Sequence, residues 1–201
     1  MSFLENTRRP AGLGGKLMVA MMNLGHRALS EWGLRFLKIA PDAAALDCGC
    51  GGGANLKRLL RRCPMGRVSG IDYSEVSVRK SRALNRRAAE DGRCEVLQAS
   101  VAKLPFEDAR FDAVTAFETV YFWPGLQESF REVHRVLKPG GAFLICNECG
   151  DDRRGERWAE RIGGMTIYTA AQLKDELERA GFRGVQMHRN RRGWLCAVGR
   201  K

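Results

Sequence analysis

The chain has 201 residues, and its 34 basic and 23 acidic side chains give a formal net charge of +11. With 44% hydrophobic and 28% charged residues, the composition is typical of a folded globular domain and argues against a disordered or fibrous protein. No uninterrupted apolar run of about 18 residues predicts a membrane-spanning helix, and the N-terminus lacks the apolar stretch of a secretory signal. We therefore expect a cytoplasmic protein with no membrane partner.

The seven cysteines are an odd number and are scattered along the chain, which favours reduced thiols over a disulfide framework. Cys146 and Cys149 form a Cys-x-x-Cys pair, but a zinc site of this kind needs a second pair at suitable spacing. The sequence therefore predicts no metal site.

Positive charge is concentrated in residues 1–40, 54–93 and 183–201, with net charges of +4, +7 and +6. Such segments can attract a nucleic acid or an anionic ligand, although basic residues at helical spacing more commonly form a solvated helix face. Charge alone leaves RNA open as a partner, while a small molecule is the favoured one.

The first predicted elements lie in residues 18–37, where methionine and leucine recur at three- and four-residue spacing. This periodicity predicts one or two helices. Together with the preceding residues they form a predicted N-terminal helical cap over residues 1–40.

From about residue 42 onward, short apolar runs alternate with longer amphipathic segments. The runs predict strands at residues 44–48, 67–72, 94–99, 111–117 and 142–148. The amphipathic segments predict helices near residues 54–62, 75–90, 125–137 and 170–180. This alternation is typical of an α/β fold in which helices cover both faces of a parallel sheet.

The end of the chain breaks this alternation. Strands predicted at residues 183–190 and 194–199 are separated by three residues, too few for a crossover, so they are expected to form an antiparallel hairpin. A polar insertion at about residues 150–168 is long for a loop and is predicted to act as a lid. Residues 41–201 are thus expected to form one domain with a seven-stranded, mostly parallel sheet that ends in an antiparallel hairpin.

The clearest motif is a glycine-rich loop at residues 46–53, between the first strand and the first helix of the sheet domain. Glycines 49, 51 and 53 allow a tight turn and a close approach of the backbone to a ligand. Asp72 follows at the end of the second strand, where a carboxylate can accept both ribose hydroxyls of an adenosine. Together, the glycine-rich loop and Asp72 predict an adenosine-containing ligand. They do not distinguish a nicotinamide dinucleotide from S-adenosylmethionine.

Each part of this motif also has a structural interpretation. Three glycines can serve helix–strand packing alone, and Asp72 could instead cap the helix that begins near Ser74 and Glu75. The terminal hairpin disfavours the dinucleotide, because two mirrored mononucleotide-binding halves would not produce it.

Four segments together resemble the class I S-adenosylmethionine-dependent methyltransferases, in particular the small-molecule enzymes of the ubiquinone-biosynthesis-like type. They are the glycine-rich loop, the strand end at Asp72, residues 104–114 (LPFEDARFDAV) and residues 135–141 (RVLKPGG). The resemblance implies a Rossmann-like fold, S-adenosyl-L-methionine as cofactor and a small-molecule methyl acceptor.

Two alternatives stay open. An RNA methyltransferase is disfavoured because the chain has no appended RNA-binding module and no AsnProProTyr-type motif after the fourth strand. A catalytically silent nucleoside-binding module is disfavoured because Gly49, Gly51 and Asp72 are intact.

The resemblance also implies the cofactor site, with a carboxylate near the ammonium group of the methionine end, Asp72 on the ribose and Tyr73 beside the adenine. The implied cofactor-binding residues are Asp47, Gly49, Cys50, Gly51, Asp72, Tyr73, Ser100, Val101 and Phe117. Ser100 stands where the family usually has an acidic residue, and as a neutral acceptor it should bind the adenine amino group more weakly.

The aromatic segment at residues 117–124 follows the fourth strand and, in the family, faces the methionine end of the cofactor and the acceptor. Glu118 is the first candidate catalytic residue, because ligands bind at the carboxyl ends of parallel strands. Tyr121 is the second, since its hydroxyl needs a polar partner, and His26 on the N-terminal helical segment is a third. Asn147 and Glu148, at the end of the fifth strand, also point to this edge.

Overall fold

The computed structural model describes residues 25–150 and 153–201, together with Gly12 and Gly14. Its strands are β1 Ala44–Cys48, β2 Arg67–Asp72, β3 Cys94–Gln98, β4 Phe111–Phe117, β5 Leu137–Asn147, β6 Arg183–Arg189 and β7 Leu195–Arg200. Its helices are α1 Arg27–Gly33, α2 Ala54–Arg62, α3 Glu75–Leu84, α4 Arg86–Glu90, α5 Leu126–Val136, α6 Arg153–Arg161 and α7 Ala170–Arg179. Short 3-10 turns lie at Leu34–Phe36 and Val120–Phe122.

The strands form a seven-stranded sheet in the order β3-β2-β1-β4-β5-β7-β6. The pairs among β1 to β5 are parallel, whereas β7 runs antiparallel to both β5 and β6. The predicted terminal hairpin and the mostly parallel, Rossmann-like sheet are therefore confirmed.

Helices cover both faces of the sheet, because successive side chains of a strand point to opposite faces. On β5, Phe143 and Ile145 lie in a hydrophobic core with residues of α5 and α7. The alternate residues Leu144 and Cys146 lie in a second core with residues of α1, α2 and α3. The two cores hold the helices against the two faces of the sheet, and the loops lie at its edges.

The strands predicted at residues 44–48, 67–72 and 111–117 have those bounds in the structure. β5 begins at Leu137 rather than at residue 142, because Leu137 pairs with Phe111 across a register shift. The helical segment predicted near residues 75–90 is divided into α3 and α4 at Asn85, whose side-chain amide donates to the carbonyl oxygen of Gly53 at 3.1 Å.

The predicted N-terminal cap is described only from Gly25 onward, apart from Gly12 and Gly14, and the rest of residues 1–24 lies outside the described residues. Its described part, α1, packs on the sheet through Leu29, which is fully buried. The described part of the insertion predicted at about residues 150–168 contains the helix α6. Closure of this segment as a lid stays a prediction.

In the described ranges, none of the helices is long and apolar enough to span a bilayer.

Candidate active site

The carboxyl ends of β1, β2, β4 and β5 lie at one edge of the sheet. Strand order reverses at β1, since β2 and β3 follow on one side and β4 on the other. In open parallel sheets, ligands bind in the crevice beside such a switch point. The glycine-rich loop after β1 and the residues after β4 are therefore positioned by the topology to share one ligand site.

The glycine-rich loop turns sharply because its glycines adopt left-handed conformations. Gly49, Gly51 and Gly53 have φ angles of 76°, 52° and 81°. The amide of Gly49 donates to the carbonyl oxygen of Ile71 at 2.8 Å, which fixes the loop against the end of β2. The loop thus brings backbone close to the carboxyl ends of two adjacent strands.

Gly49 also has no room for a side chain, because a Cβ atom there would lie 2.2 Å from Oγ1 and 2.7 Å from Cβ of Thr119. We expect Gly49→Ala to lower the free energy of unfolding by more than about 2 kcal/mol, since left-handed strain of about 1–2 kcal/mol adds to this overlap. Gly92→Ala is the matched control, because Gly92 has a φ of 69° and open space around it. Urea denaturation measures both variants, and equal losses would contradict a role for the contact with Thr119.

Asp72 connects the loop to the second strand. The carboxylate is 8% exposed and accepts hydrogen bonds from the Gly51 amide at 2.9 Å and the Ser74 amide at 2.8 Å. Burial raises its pKa, and the two backbone hydrogen bonds oppose that shift. Each carboxylate oxygen keeps acceptor capacity for a ligand hydroxyl.

The alternative role of Asp72 as the N-cap of α3 is wrong. Ser74 is the N-cap, and its side chain accepts a hydrogen bond from the Ser77 amide. Asp72 instead binds the amide of that cap residue and the amide of the loop. Tyr73, the residue between Asp72 and Ser74, is 42% exposed.

Asp47 is buried at the end of β1 with 1% of its surface exposed. The Thr115 hydroxyl on the neighbouring strand β4 donates to its carboxylate at 2.6 Å. Burial raises the pKa of Asp47 to about 7, the bond from Thr115 opposes this shift, and the nearby Asp72 adds to it. A cationic group of a ligand would favour the ionised carboxylate here.

The other implied cofactor residues differ in exposure. Ser100 is exposed and its hydroxyl accepts the Ala102 amide at 3.3 Å, whereas Val101 is buried in the core beside α5. Cys50 is buried, and burial raises its thiol pKa. Phe117 is 7% exposed at the end of β4. The cofactor contacts of these residues remain predictions.

Glu118 and Tyr121 form a hydrogen-bonded group directly after β4. Glu118 has a φ of 58°, and its carboxylate accepts from the Glu148 amide and lies 3.2 Å from the Tyr121 hydroxyl. The same hydroxyl accepts from the Cys149 amide at 2.9 Å. Tyr121 is 3% exposed, so the polar partner predicted for its hydroxyl is present within the protein.

His26 is the residue before α1, and its side chain lies beside Glu118. Its Nε2 lies 4.0 Å from Oε2 of Glu118. Burial lowers the pKa of His26, while the negative charge of Glu148 opposes the shift. The three candidate catalytic residues, chosen from distant parts of the sequence, therefore lie together.

Sequence reasoning missed two threonines that organise this edge. Thr115 binds Asp47, and Thr119 lies against Gly49 and accepts the Trp123 indole N–H at 3.1 Å. Trp123 itself stacks on Phe143 with ring centroids 6.0 Å apart, which gives it a place in the core. The nearly continuous apolar run of β4 could have shown that Thr115 is buried, but not its partner on β1.

A seven-stranded Rossmann-like sheet with a glycine-rich loop and a buried carboxylate at its switch point is typical of nucleoside-binding α/β proteins. Comparison with known proteins makes this more specific. The family described as "Methyltransferase domain" matches residues 46–145. Cycloartenol-C-24-methyltransferase 1 of Oryza sativa subsp. japonica is 32% identical over 71% of this chain, and the match covers 38% of that protein.

Solved structures share the fold at lower identity. The methyltransferase of Haloferax volcanii, solved with the Trm112 methyltransferase activator, has a TM-score of 0.84 at 22% identity, over 92% of this chain and 93% of its own. A SAM-dependent methyltransferase from Aquifex aeolicus has a TM-score of 0.77 at 20% identity, over 92% and 97%.

The family match over residues 46–145 and the shared fold confirm the resemblance to the class I S-adenosylmethionine-dependent methyltransferases and the cofactor that the sequence motifs implied. The ubiquinone-biosynthesis-like subtype stays a prediction.

Proposed function

We propose that this protein transfers the methyl group of S-adenosylmethionine to a small organic acceptor that lies beside Glu118, Tyr121 and His26. The observation that carries the proposal is the arrangement at the switch point. The glycine loop and Asp72 occupy the ends of β1 and β2, and the group of three candidate catalytic residues lies next to them at the end of β4.

The described residues fit this cofactor. The cofactor carries no phosphate, so the loop needs close backbone approach and a carboxylate near the ammonium group. Gly49 and Gly51 provide the backbone, and Asp47 provides the buried carboxylate. Asp72 would hold the ribose, and the exposed ring of Tyr73 would lie beside the adenine.

When bound, the cofactor supplies a methyl group on a positively charged sulfur, which leaves as a thioether after in-line displacement by the acceptor. The residues of the chain then have two tasks, namely orientation of the acceptor and exclusion of water. Glu118 and His26 can take the proton that an acceptor loses, because both lie at this edge and burial lowers the pKa of His26, which favours its neutral imidazole. Tyr121 holds Glu118 in place.

The relatives support a small acceptor over RNA. The rice relative is named for methylating C-24 of cycloartenol, and a carbon acceptor of the isoprenoid type is therefore the first candidate for this chain. The chain spans little more than a third of the length of that relative, so the identity of the acceptor is a separate proposal from the methyl-transfer chemistry.

Calorimetric titration tests the cofactor. We expect S-adenosylmethionine and S-adenosylhomocysteine to bind at one site and NAD not to bind, because the loop and Asp72 suit an adenosine with a charged methionine end. Tight binding of NAD without binding of S-adenosylhomocysteine would contradict the proposal.

Methyl-labelled S-adenosylmethionine then tests the acceptor. The label should appear in a small organic product when a panel that includes isoprenoids is supplied, and Glu118→Gln should lower turnover while cofactor affinity stays within about threefold. Label that enters RNA, with none in small molecules, would instead support the RNA methyltransferase alternative.

A further inference from the structure

Three side chains of types that can bind a metal come from separate parts of the fold. They lie together at the carboxyl edge of the sheet, where the proposed acceptor would bind. His26 precedes α1, Glu118 follows β4 and Glu148 follows β5. One ligand atom from each lies within 4.8 Å of the others, and all three residues are half-buried. We propose that these residues bind one divalent transition-metal cation, which holds an oxygen of the methyl acceptor. This inference rests on the proposed function, because it assigns the acceptor to the same edge.

The carboxylate of Glu118 is oriented for such a role. Its Oε1 lies 3.2 Å from the Tyr121 hydroxyl and also accepts the Glu148 amide, while its Oε2 is the oxygen that faces His26 at 4.0 Å. The Tyr121 hydroxyl is itself fixed by the Cys149 amide at 2.9 Å. Outer partners of this kind orient metal-binding carboxylates and restrict their rotation.

The three ligand atoms lie slightly farther apart than in a coordination sphere. Two ligand atoms of a tetrahedral metal with bonds of about 2.1 Å lie about 3.4 Å apart. The His26 and Glu118 atoms are 4.0 Å apart, and no pair in the cluster is more than 4.8 Å apart. Binding of a metal therefore requires the side chains to approach one another by about 0.6 to 1.4 Å.

Electrostatics favour a cation at this point. Two half-buried carboxylates within reach of each other repel, and removal from water makes the repulsion stronger. A divalent cation would compensate both charges, whereas the sulfonium of the cofactor carries only one. The cluster thus offers a doubly charged ligand a site with complementary charge.

The donor set indicates the class of metal and of acceptor. One imidazole nitrogen with two carboxylate oxygens suits Mn²⁺, Fe²⁺ or Zn²⁺, whereas Mg²⁺ prefers oxygen ligands alone. Three protein ligands leave coordination positions open, as in metal sites that bind substrate. A metal there would polarise and hold a hydroxyl, enol or carboxylate oxygen. Among the isoprenoids and other acceptors of the panel, we therefore expect one that carries such an oxygen close to the methylated atom.

Titration of the purified full chain with Mn²⁺, followed by electron paramagnetic resonance and calorimetry, tests the site. Mn²⁺ is the first probe because the cysteine thiols are buried and Mn²⁺ binds thiols weakly. We expect one Mn²⁺ per chain and a loss of affinity of at least tenfold in both His26→Ala and Glu148→Gln. Glu107→Gln, which changes an exposed carboxylate outside the cluster, should bind Mn²⁺ as the unmodified protein does.

Thermal denaturation separates loss of the site from loss of the fold. The inference is supported when the variants melt within a few degrees of the unmodified protein and no longer bind Mn²⁺. Stoichiometric binding that is equal in His26→Ala, Glu148→Gln and Glu107→Gln would overturn it, as would no binding to the unmodified protein. Binding of S-adenosylmethionine without Mn²⁺ would leave the proposed function intact, whereas Mn²⁺ binding without cofactor binding would remove the proposed function instead.

Discussion

Replacement of Asp72 by alanine is expected to lower the affinity for S-adenosylmethionine by at least tenfold. Hydrogen bonds to a charged group contribute about 1.5–3 kcal/mol each, and about 1.4 kcal/mol corresponds to a factor of ten in affinity. The variant loses the acceptor of the ribose hydroxyls. It also leaves the amides of Gly51 and Ser74 without their carboxylate partner, so the melting temperature should fall as well.

The two effects are separable by measuring affinity and melting temperature on the same variants. Asp91→Ala is the matched control, because Asp91 is an exposed aspartate in the turn after α4. The control should change neither quantity. A lowered melting temperature with unchanged affinity in Asp72→Ala would show that this carboxylate serves the loop and not the ribose.

Replacement of Asp47 by asparagine should stabilise the unliganded protein at pH 8 and weaken cofactor binding. The native pKa of about 7 lies above the unfolded value of 3.8, so the native state holds its proton more tightly. The stabilisation from this proton is complete below pH 3.8 and is lost as pH rises through 7. The difference between a pKa of about 7 and one of 3.8 corresponds to about 4 kcal/mol of stability. The neutral asparagine does not undergo this loss of stability.

Melting curves between pH 5 and pH 8 measure this effect. The difference between Asp47→Asn and the unmodified protein should grow with pH, whereas Asp175→Asn, an exposed control, should follow the unmodified protein. Cofactor affinity of the unmodified protein should rise between pH 6 and pH 8, because the ammonium group of the ligand favours the ionised carboxylate. In Asp47→Asn this rise should be absent. A melting difference that shrinks as pH rises would contradict the assignment.

Local sequence patterns were sufficient for most of the fold. The strands at residues 44–48, 67–72 and 111–117 are short apolar runs bounded by breakers, and their bounds agree with the structure. Two departures have causes that are distant in the sequence. β5 starts early because Leu137 pairs with Phe111, and the segment 75–90 divides where the Asn85 side chain binds Gly53.

The candidate site was predictable only where its residues form a local sequence pattern. The glycine loop and Asp72 form a local pattern whose spacing already indicates a nucleoside. The contact of His26 with Glu118 depends on how α1 packs against the sheet, and periodicity carries no information about that packing. The bond from Thr115 to Asp47 likewise needs the register of β1 against β4, which no local motif specifies.

The Tyr121 hydroxyl has a consequence for the kinetics of ligand binding. It contacts the carboxylate after β4 and both backbone groups of Cys149 after β5, so the two strand ends are held together before any ligand arrives. The conformational entropy of ordering them is therefore spent during folding and not during binding. An acceptor would meet this wall of the site already in its final shape, and association there should be limited by arrival of the acceptor and not by rearrangement of the strand ends.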